Sequence, residues 1–244
     1  MKLLLLVVVV LALVILFEVT KIAIAYERSR PLLVNTKPFE RVEASASTKI
    51  LVVGDSTGYG TGATLPEESV AGRLAADFPN ASLENLSKNG MQIHEALQVV
   101  RGLPNGSHYS IILLQIGGND IIYFSSREKV RSDLRLLLEE FKKHSDTVLF
   151  MSSGDVGNAP AFGPVLSFVF HNRSLSYRDI FIEESKRAEV SYVDLYQDRA
   201  NDPFVKEPWV YHCVDGLHPS SAGYELWYQK LKPTLPVLNS VNKE

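Results

Sequence analysis

Four short polar segments of this sequence carry the groups that acyl transfer requires. The reaction needs a nucleophile, a base that takes its proton, a group that orients the base, and hydrogen-bond donors for the developing oxyanion. Each segment follows an apolar run or precedes the last predicted helix. They are Gly54-Asp55-Ser56-Thr57, Asn89-Gly90, Gly117-Gly118-Asn119-Asp120 and Asp215-Gly216-Leu217-His218-Pro219.

The first and last segments supply a candidate Ser-His-Asp triad. Ser56 sits on a turn directly after a strand, from which its hydroxyl can face a crevice, and it is the predicted nucleophile. His218 is the predicted base, because imidazole titrates near neutral pH. Asp215 precedes it by three residues, so one turn can present both side chains. A carboxylate in that position would hold the ring and stabilise the imidazolium formed during attack.

The other two segments supply candidate oxyanion donors. The N–H of Gly90 has no Cβ beside it, and the Asn119 carboxamide carries two N–H donors. The N–H of Ser56 is a third candidate. The loss of one such donor typically raises the barrier by about 3 kcal/mol. Ser56, Gly90 and Asn119 are therefore the predicted oxyanion hole.

The elements that must position these residues are successive βα units. From Lys49 onward, short apolar runs alternate with amphipathic stretches, which predicts a flavodoxin-like three-layer α/β/α sandwich with a five-stranded parallel sheet. Right-handed crossovers place the carboxyl ends of all strands at one edge, where the four segments would meet. The predicted strands are 50–53, 82–86, 110–116, 147–151 and 191–195. The predicted helices are 67–78, 92–103, 127–144, 177–187 and 220–231, the last of them capped by serine.

The N-terminal segment 1–25 is a predicted hydrophobic helix. Its unbroken apolar run, Leu3 to Phe17, spans about 22 Å as a helix, against a hydrocarbon core of roughly 30 Å. We expect an uncleaved signal anchor that leaves the catalytic domain on the extracytoplasmic side. The alternative is a signal peptide cleaved after Ala25, followed by export. Residues 26–47 then form a tether, and residues 48–244 form the domain.

Composition excludes several functional classes. The chain has 244 residues and a net charge of −3, with acidic and basic residues mixed, so no basic stripe for nucleic acid is present. Its only cysteine is Cys213, which rules out an intramolecular disulfide. The other histidines show no metal-ligand spacing. Neither a metal nor an organic cofactor is predicted.

The four segments resemble the motifs of the SGNH (GDSL-like lipase and esterase) hydrolase family. The family's GDS, single-glycine, GxND and DxxH motifs match Gly54 to Ser56, Gly90, Gly117 to Asp120, and Asp215 to His218, in family order. The resemblance covers roughly residues 48–232. It implies Ser56 as nucleophile, His218 as base, Asp215 as its partner, and Ser56, Gly90 and Asn119 as the oxyanion hole. Thr57 replaces the leucine of the common form.

Two other motifs overlap the first segment. Residues 54–58 also fit G-x-S-x-G, the nucleophile elbow of α/β-hydrolases. In that fold, however, the serine follows a mid-sheet strand late in the chain, and its acid and base lie far apart in sequence. Residues 58–63 loosely fit a dinucleotide-binding fingerprint. This match begins four residues after the strand and has no acidic residue at the end of a following strand, so both alternatives are disfavoured.

The sequence predicts the type of reaction more closely than it predicts the substrate. The apolar, aromatic stretch Ala159 to Phe170 follows the fourth predicted strand, and either holds an acyl chain, touches a bilayer or begins a core helix. With the anchor, it favours a lipid ester such as a lysophospholipid. The family resemblance leaves open a deacetylase or acyltransferase acting on acylated saccharides. A catalytically idle, membrane-tethered binding module is a further alternative.

Overall fold

The computed structural model describes residues 1–236, and within them five parallel strands form one sheet in the order β2-β1-β3-β4-β5. The order reverses at β1, because the chain moves outward to β2 and then returns to β3 on the other side. A crevice therefore opens between the carboxyl ends of β1 and β3. The predicted fold class is confirmed. The strands are β1 (Lys49–Gly54), β2 (Ser82–Asn85), β3 (Ile111–Gln115), β4 (Val148–Met151) and β5 (Ser191–Val193).

Helices cover both faces of the sheet. The longer ones are α1 (Lys2–Asn35), α3 (Val70–Asp77), α4 (Ile93–Arg101), α6 (Arg127–Phe141), α7 (Pro164–Ala188) and α10 (Ser221–Leu231). Short helices or turns of helix are α2 (Ser56–Tyr59), α5 (Gly118–Ile122), α8 (Pro203–Lys206) and α9 (Pro208–Tyr211), with 3₁₀ turns at Pro66–Glu68, Val156–Asn158 and Lys232–Thr234.

The core lies in two layers, one on each side of the sheet. In β1, Leu51 and Val53 pack towards α4, α6 and α7, whereas Ile50 and Val52 pack towards α3 and α10. All four are buried. A strand buried on both faces reads as a continuous apolar run rather than an alternating one, which is the pattern of β1 in the sequence.

Helix α7 begins thirteen residues before its predicted start, Tyr177, because Pro164 opens it. Proline suits the first turn of a helix, where its missing N–H is not needed. Phe170, Tyr177 and Phe181 then point into the core. The predicted helix covered only the polar second half, since apolar residues surround the first half and hide its periodicity.

Helix α1 extends to Asn35, ten residues beyond the predicted end of the hydrophobic segment at Ala25. The first part of the predicted tether is therefore helical. Glu18, Ala25 and Ser29 are buried and share one face, because they are separated by seven and four residues. This face packs on the domain. By contrast, every residue from Leu3 to Phe17 is exposed.

Candidate active site

Ser56 is the first residue of α2, at the end of β1. Asp55 caps this short helix, with its carboxylate accepting from the backbone N–H of Thr57 at 2.8 Å and from the Thr57 hydroxyl at 2.7 Å. Gly54 lies so close to β3 that a Cβ built on it would be 2.1 Å from the carbonyl oxygen of Gln115. The sharp turn from strand to helix therefore needs glycine and an acidic cap before the serine.

A short loop before α10 carries Asp215 and His218. One carboxylate oxygen of Asp215, Oδ1, accepts from the backbone N–H groups of Leu217 at 2.8 Å and His218 at 3.0 Å, which fixes the loop. Ser220 then caps α10 through the N–H of Gly223, as the sequence predicted. The histidine is thus held between a turn and a capped helix.

The structure brings the three predicted triad residues into one hydrogen-bonded line. His218 Nε2 lies 2.9 Å from Ser56 Oγ, and His218 Nδ1 lies 2.6 Å from Asp215 Oδ2. All three residues are buried, with 9% or less of each exposed. In this geometry the carboxylate sets the ring so that the nitrogen facing the serine can accept its proton.

Burial and hydrogen bonding act in opposite directions on the carboxylates here. Burial alone would raise the pKa of Asp215, but the hydrogen bond and charge of His218 and the N–H groups of Leu217 and His218 lower it well below its usual range. Asp215 is therefore a carboxylate at neutral pH. Burial raises the pKa of Asp55, against the hydrogen bonds from Thr57. Burial also raises the pKa of Asp120 to about 6.

Two of the predicted oxyanion donors, Ser56 and Asn119, lie at the crevice between β1 and β3. Asn119 is in α5, directly after β3, and lines the same cleft as Ser56. Its Nδ2 donates to the carbonyl oxygen of Met91 at 3.1 Å, so the carboxamide reaches the loop that contains Gly90. Gly90 adopts φ = 82°, a conformation that favours glycine. Two of the three candidates, Ser56 and Asn119, thus line the same cleft, and Gly90 directly precedes the Met91 carbonyl that Asn119 contacts.

The cleft in front of Ser56 has a volume of about 340 Å³. Its lining includes apolar side chains such as Ile122, Val156 and Leu226. It also includes polar side chains such as Gln197 and Asp202. A volume of this size is at the lower end of ordinary small-molecule sites.

The aromatic side chains of the stretch Ala159 to Phe170 lie outside this cleft lining. Ala159 contributes to the wall. Phe170 packs in the core, with its ring 4.6 Å from that of Phe162 and 5.8 Å from that of Phe124. Phe168 is 70% exposed on the first turns of α7. The stretch therefore begins a core helix, and only its outer face meets solvent.

Two contacts at the site escaped the sequence analysis. Ser29 of α1 donates its hydroxyl to Asp215 Oδ2 at 2.7 Å, from a segment predicted to be a tether. The Cys213 thiol donates to Asp215 Oδ1 at 3.1 Å, and burial raises its pKa to about 12, which keeps the thiol protonated. A signal for Ser29 existed in the helical spacing of Glu18, Ala25 and Ser29, but Ser29 lies in a charged stretch that was predicted to be a tether.

Fold and site together define a class: a three-layer parallel sandwich with serine, histidine and aspartate hydrogen-bonded in line at its carboxyl edge. The chain belongs to the GDSL-like lipase/acylhydrolase family, whose model matches residues 52–226. The family identification made from the sequence motifs is therefore confirmed. The match includes Ser56, Gly90, Asn119, Asp215 and His218.

Solved structures of this fold include enzymes with different substrates. The chain is similar to the extracellular lipase of Streptomyces rimosus, with 14% identity, 78% of this chain and 100% of that chain covered, and a TM-score of 0.61. It is also similar to the esterase EstA of Pseudoalteromonas sp., in a structure inhibited by monoethylphosphonate. The identity is 18%, 77% of this chain and 96% of that chain are covered, and the TM-score is 0.52. A carbohydrate esterase family 2 enzyme of Corynascus thermopiles is also similar, with 14% identity, 80% of this chain and 68% of that chain covered, and a TM-score of 0.57. Curated protein sequences gave no match.

Proposed function

We propose that this protein is a serine esterase that cleaves carboxylic esters through an acyl-enzyme. The observation that carries the proposal is the line from Ser56 Oγ through the His218 ring to Asp215, with distances of 2.9 Å and 2.6 Å. A hydroxyl becomes a competent nucleophile when a positioned base removes its proton. The family membership supports the same chemistry.

In the proposed reaction, Ser56 Oγ forms a bond to the ester carbonyl carbon while its proton passes to His218 Nε2. The carbonyl oxygen becomes an oxyanion, for which the N–H groups of Ser56, Gly90 and Asn119 are the proposed donors. Collapse of the intermediate breaks the bond to the alcohol, which takes the proton from His218. Water then repeats the sequence and releases the acid.

We further propose that α1 is a membrane anchor and that the substrate is a lipid ester. The stretch Leu3 to Phe17 is apolar on all sides and exposed along its whole length, and α1 is long and apolar enough to cross a bilayer. Such a helix is stable in lipid rather than in water. The apolar lining residues Ile122, Val156 and Leu226 can contact an acyl chain of modest length, such as that of a short lysophospholipid.

Acylated saccharides are a second candidate substrate class. The polar lining residues Gln197 and Asp202 offer acceptors and donors for hydroxyl groups. The similarity in fold to a carbohydrate esterase supports this alternative. Substrate choice then depends on which lining residues contact the acyl group and which contact the alcohol.

The deciding experiment uses the full-length protein in detergent micelles. Turnover of p-nitrophenyl acetate, butyrate, octanoate and palmitate is measured beside lysophosphatidylcholine and an acetylated xylo-oligosaccharide, and a fluorophosphonate probe reports a covalent adduct by mass. Ser56→Ala should lower kcat by roughly 10³-fold or more and abolish the adduct, because the nucleophile is gone.

Ser132→Ala, at an exposed serine of α6, is the matched control and should behave as wild type. Wild-type protein that neither turns over any ester nor forms the adduct would instead indicate an idle binding module. The chain-length profile separates the two substrate classes: a maximum at octanoate favours lipid esters, and a maximum at acetate favours acetylated saccharides.

A further inference from the structure

We infer that Ser29, on the N-terminal helix, is a positioning residue for the Asp215–His218 pair, so that α1 is part of the catalytic unit. This inference rests on the proposed function. Ser29 Oγ and His218 Nδ1 both reach the same oxygen, Asp215 Oδ2, at 2.7 Å and 2.6 Å. Ser29 is 7% exposed, and the Asp215 side chain is fully buried, so water does not compete for this contact.

Two further contacts hold α1 in the register that places Ser29. The Glu18 carboxylate accepts from the backbone N–H groups of Gly163 and Val165, both at 2.8 Å, and thereby caps the start of α7. A Cβ on Gly163 would lie 2.5 Å from the Glu18 carboxyl carbon, so the glycine permits the approach. Arg28, the residue directly before Ser29, donates to the carbonyl oxygen of Val214 at 3.3 Å.

Because α1 is a continuous helix, the contacts of Glu18 and Ser29 position it together. Glu18 and Ser29 are separated by eleven residues, or about 16 Å along the helix axis. One end of the docked segment therefore meets the start of α7, and the other meets the triad loop. A helix attached at two points that far apart sets both the position of the Ser29 hydroxyl and the orientation of the domain relative to the exposed stretch Leu3 to Phe17.

The Ser29 hydroxyl should affect catalysis in two ways. It restricts the rotation of the Asp215 carboxylate, so that Oδ2 stays aligned with His218 Nδ1. It also stabilises the negative charge on Asp215 and so weakens the pull of that charge on the imidazolium. Without the hydroxyl, His218 would hold its proton to a higher pH and would be a less available base.

Other titratable or charged groups also surround the pair, and all are kept constant by a change confined to Ser29. They come from four parts of the fold: Arg28 of α1, Asp55 before α2, His212 and Cys213 after α9, and Tyr224 of α10. Burial lowers the pKa of His212 to about 4, so it is neutral over the range of an activity profile.

The test is a pH profile of kcat/KM for p-nitrophenyl butyrate, measured on full-length protein in micelles. Ser29→Ala should lower kcat/KM roughly tenfold at neutral pH, the size expected for one hydrogen bond to a charged group. Its acidic limb should move to higher pH by roughly half a unit. Ser29→Thr retains the hydroxyl and should recover both properties. Glu27→Gln, on an exposed position of the same helix, is the control.

Thermal unfolding of each variant shows whether the fold is retained. The inference is overturned if Ser29→Ala has the wild-type rate and profile. It is also overturned if Ser29→Ala and Ser29→Thr lose activity equally at every pH, because that result indicates packing alone. Ser56→Ala in the same series keeps the two proposals distinct: turnover by Ser56→Ala at the wild-type rate contradicts the esterase mechanism, whatever Ser29 does.

Discussion

At the residue scale, the site depends on side chains whose hydrogen bonds are shared between structure and proposed chemistry. Asp215 accepts from Ser29, His218, Cys213 and two backbone N–H groups, so its charge is compensated without a cationic partner other than the histidine. Asn119 is shared in the same way. It bonds to the Met91 carbonyl and keeps a second amide hydrogen for the cleft.

Asn119→Ala should therefore lower kcat roughly 100-fold with little change in KM, because a donor to the transition-state oxyanion contributes mainly after the substrate has bound. Steady-state kinetics on p-nitrophenyl butyrate provide the measurement. Asn119→Asp keeps the side-chain shape but presents a carboxylate to the oxyanion, and should be at least as impaired. Wild-type kcat in Asn119→Ala, with unchanged thermal stability, would exclude this residue from the oxyanion hole.

At the scale of elements, α6 and α7 are joined by an ion-pair network centred on Glu184. This side chain is only 2% exposed and accepts from Arg131 and Arg135 of α6 and from Arg187 of α7. The hydrogen bond from Arg135, above all, lowers the pKa of Glu184 to about 2. Its guanidinium partners are each 36–44% exposed, so solvent screens part of the attraction.

Glu184→Gln should destabilise the protein by about 1–2 kcal/mol at pH 7, less than the 3–5 kcal/mol typical of a fully buried pair. Because the folded-state pKa lies below the usual 4.5, the stabilisation is complete above about pH 5 and is lost as the pH falls towards 2. Urea unfolding of both proteins at pH 7 and pH 3 tests the prediction. A difference in stability that is constant or larger at pH 3 would contradict it. Lys129→Gln, at an exposed pair within α6, is the control.

At the scale of the whole molecule, the N-terminal helix has two halves with different surroundings. From Leu3 to Phe17 it is exposed, whereas from Glu18 to Ser29 one face is buried on the domain. If the exposed half lies in a bilayer, as proposed, the start of α7 lies near the membrane surface because Glu18 caps it. The exposed Phe168 ring is then four residues from the α7 start and close to the same surface.

A C-terminally tagged full-length protein should stay in the membrane fraction after washing with high salt and with alkaline carbonate, and its N-terminus should precede Glu18. Leu11→Arg places a charge in the middle of the exposed stretch, which costs about 2.5–3.5 kcal/mol in a bilayer centre, and should move a substantial share of the protein to the soluble fraction. Leu11→Ile is the control. Soluble wild-type protein that begins at Tyr26 would show instead that the segment is a cleaved signal peptide.

The sequence by itself determined the fold class and the family, because both can be recognised from local sequence patterns. Strands buried on two faces appear as continuous apolar runs, as in β1, and a parallel sheet collects the segments after its strands at one edge. The Ser220 cap of α10 was predictable for the same reason. The residue types of the predicted triad are visible in the sequence, but the distances between them are not.

Only the tertiary structure decided the contacts that depend on packing between distant segments. The Ser29–Asp215 hydrogen bond joins residues 186 positions apart, and the Glu18 cap on α7 joins residues 145 positions apart. The apolar run before Glu18 and the charged residues around Ser29 gave no hydrophobic periodicity that marks which face of α1 will be buried. The early start of α7 was hidden in the same way, because apolar side chains occur on every side of its first turns.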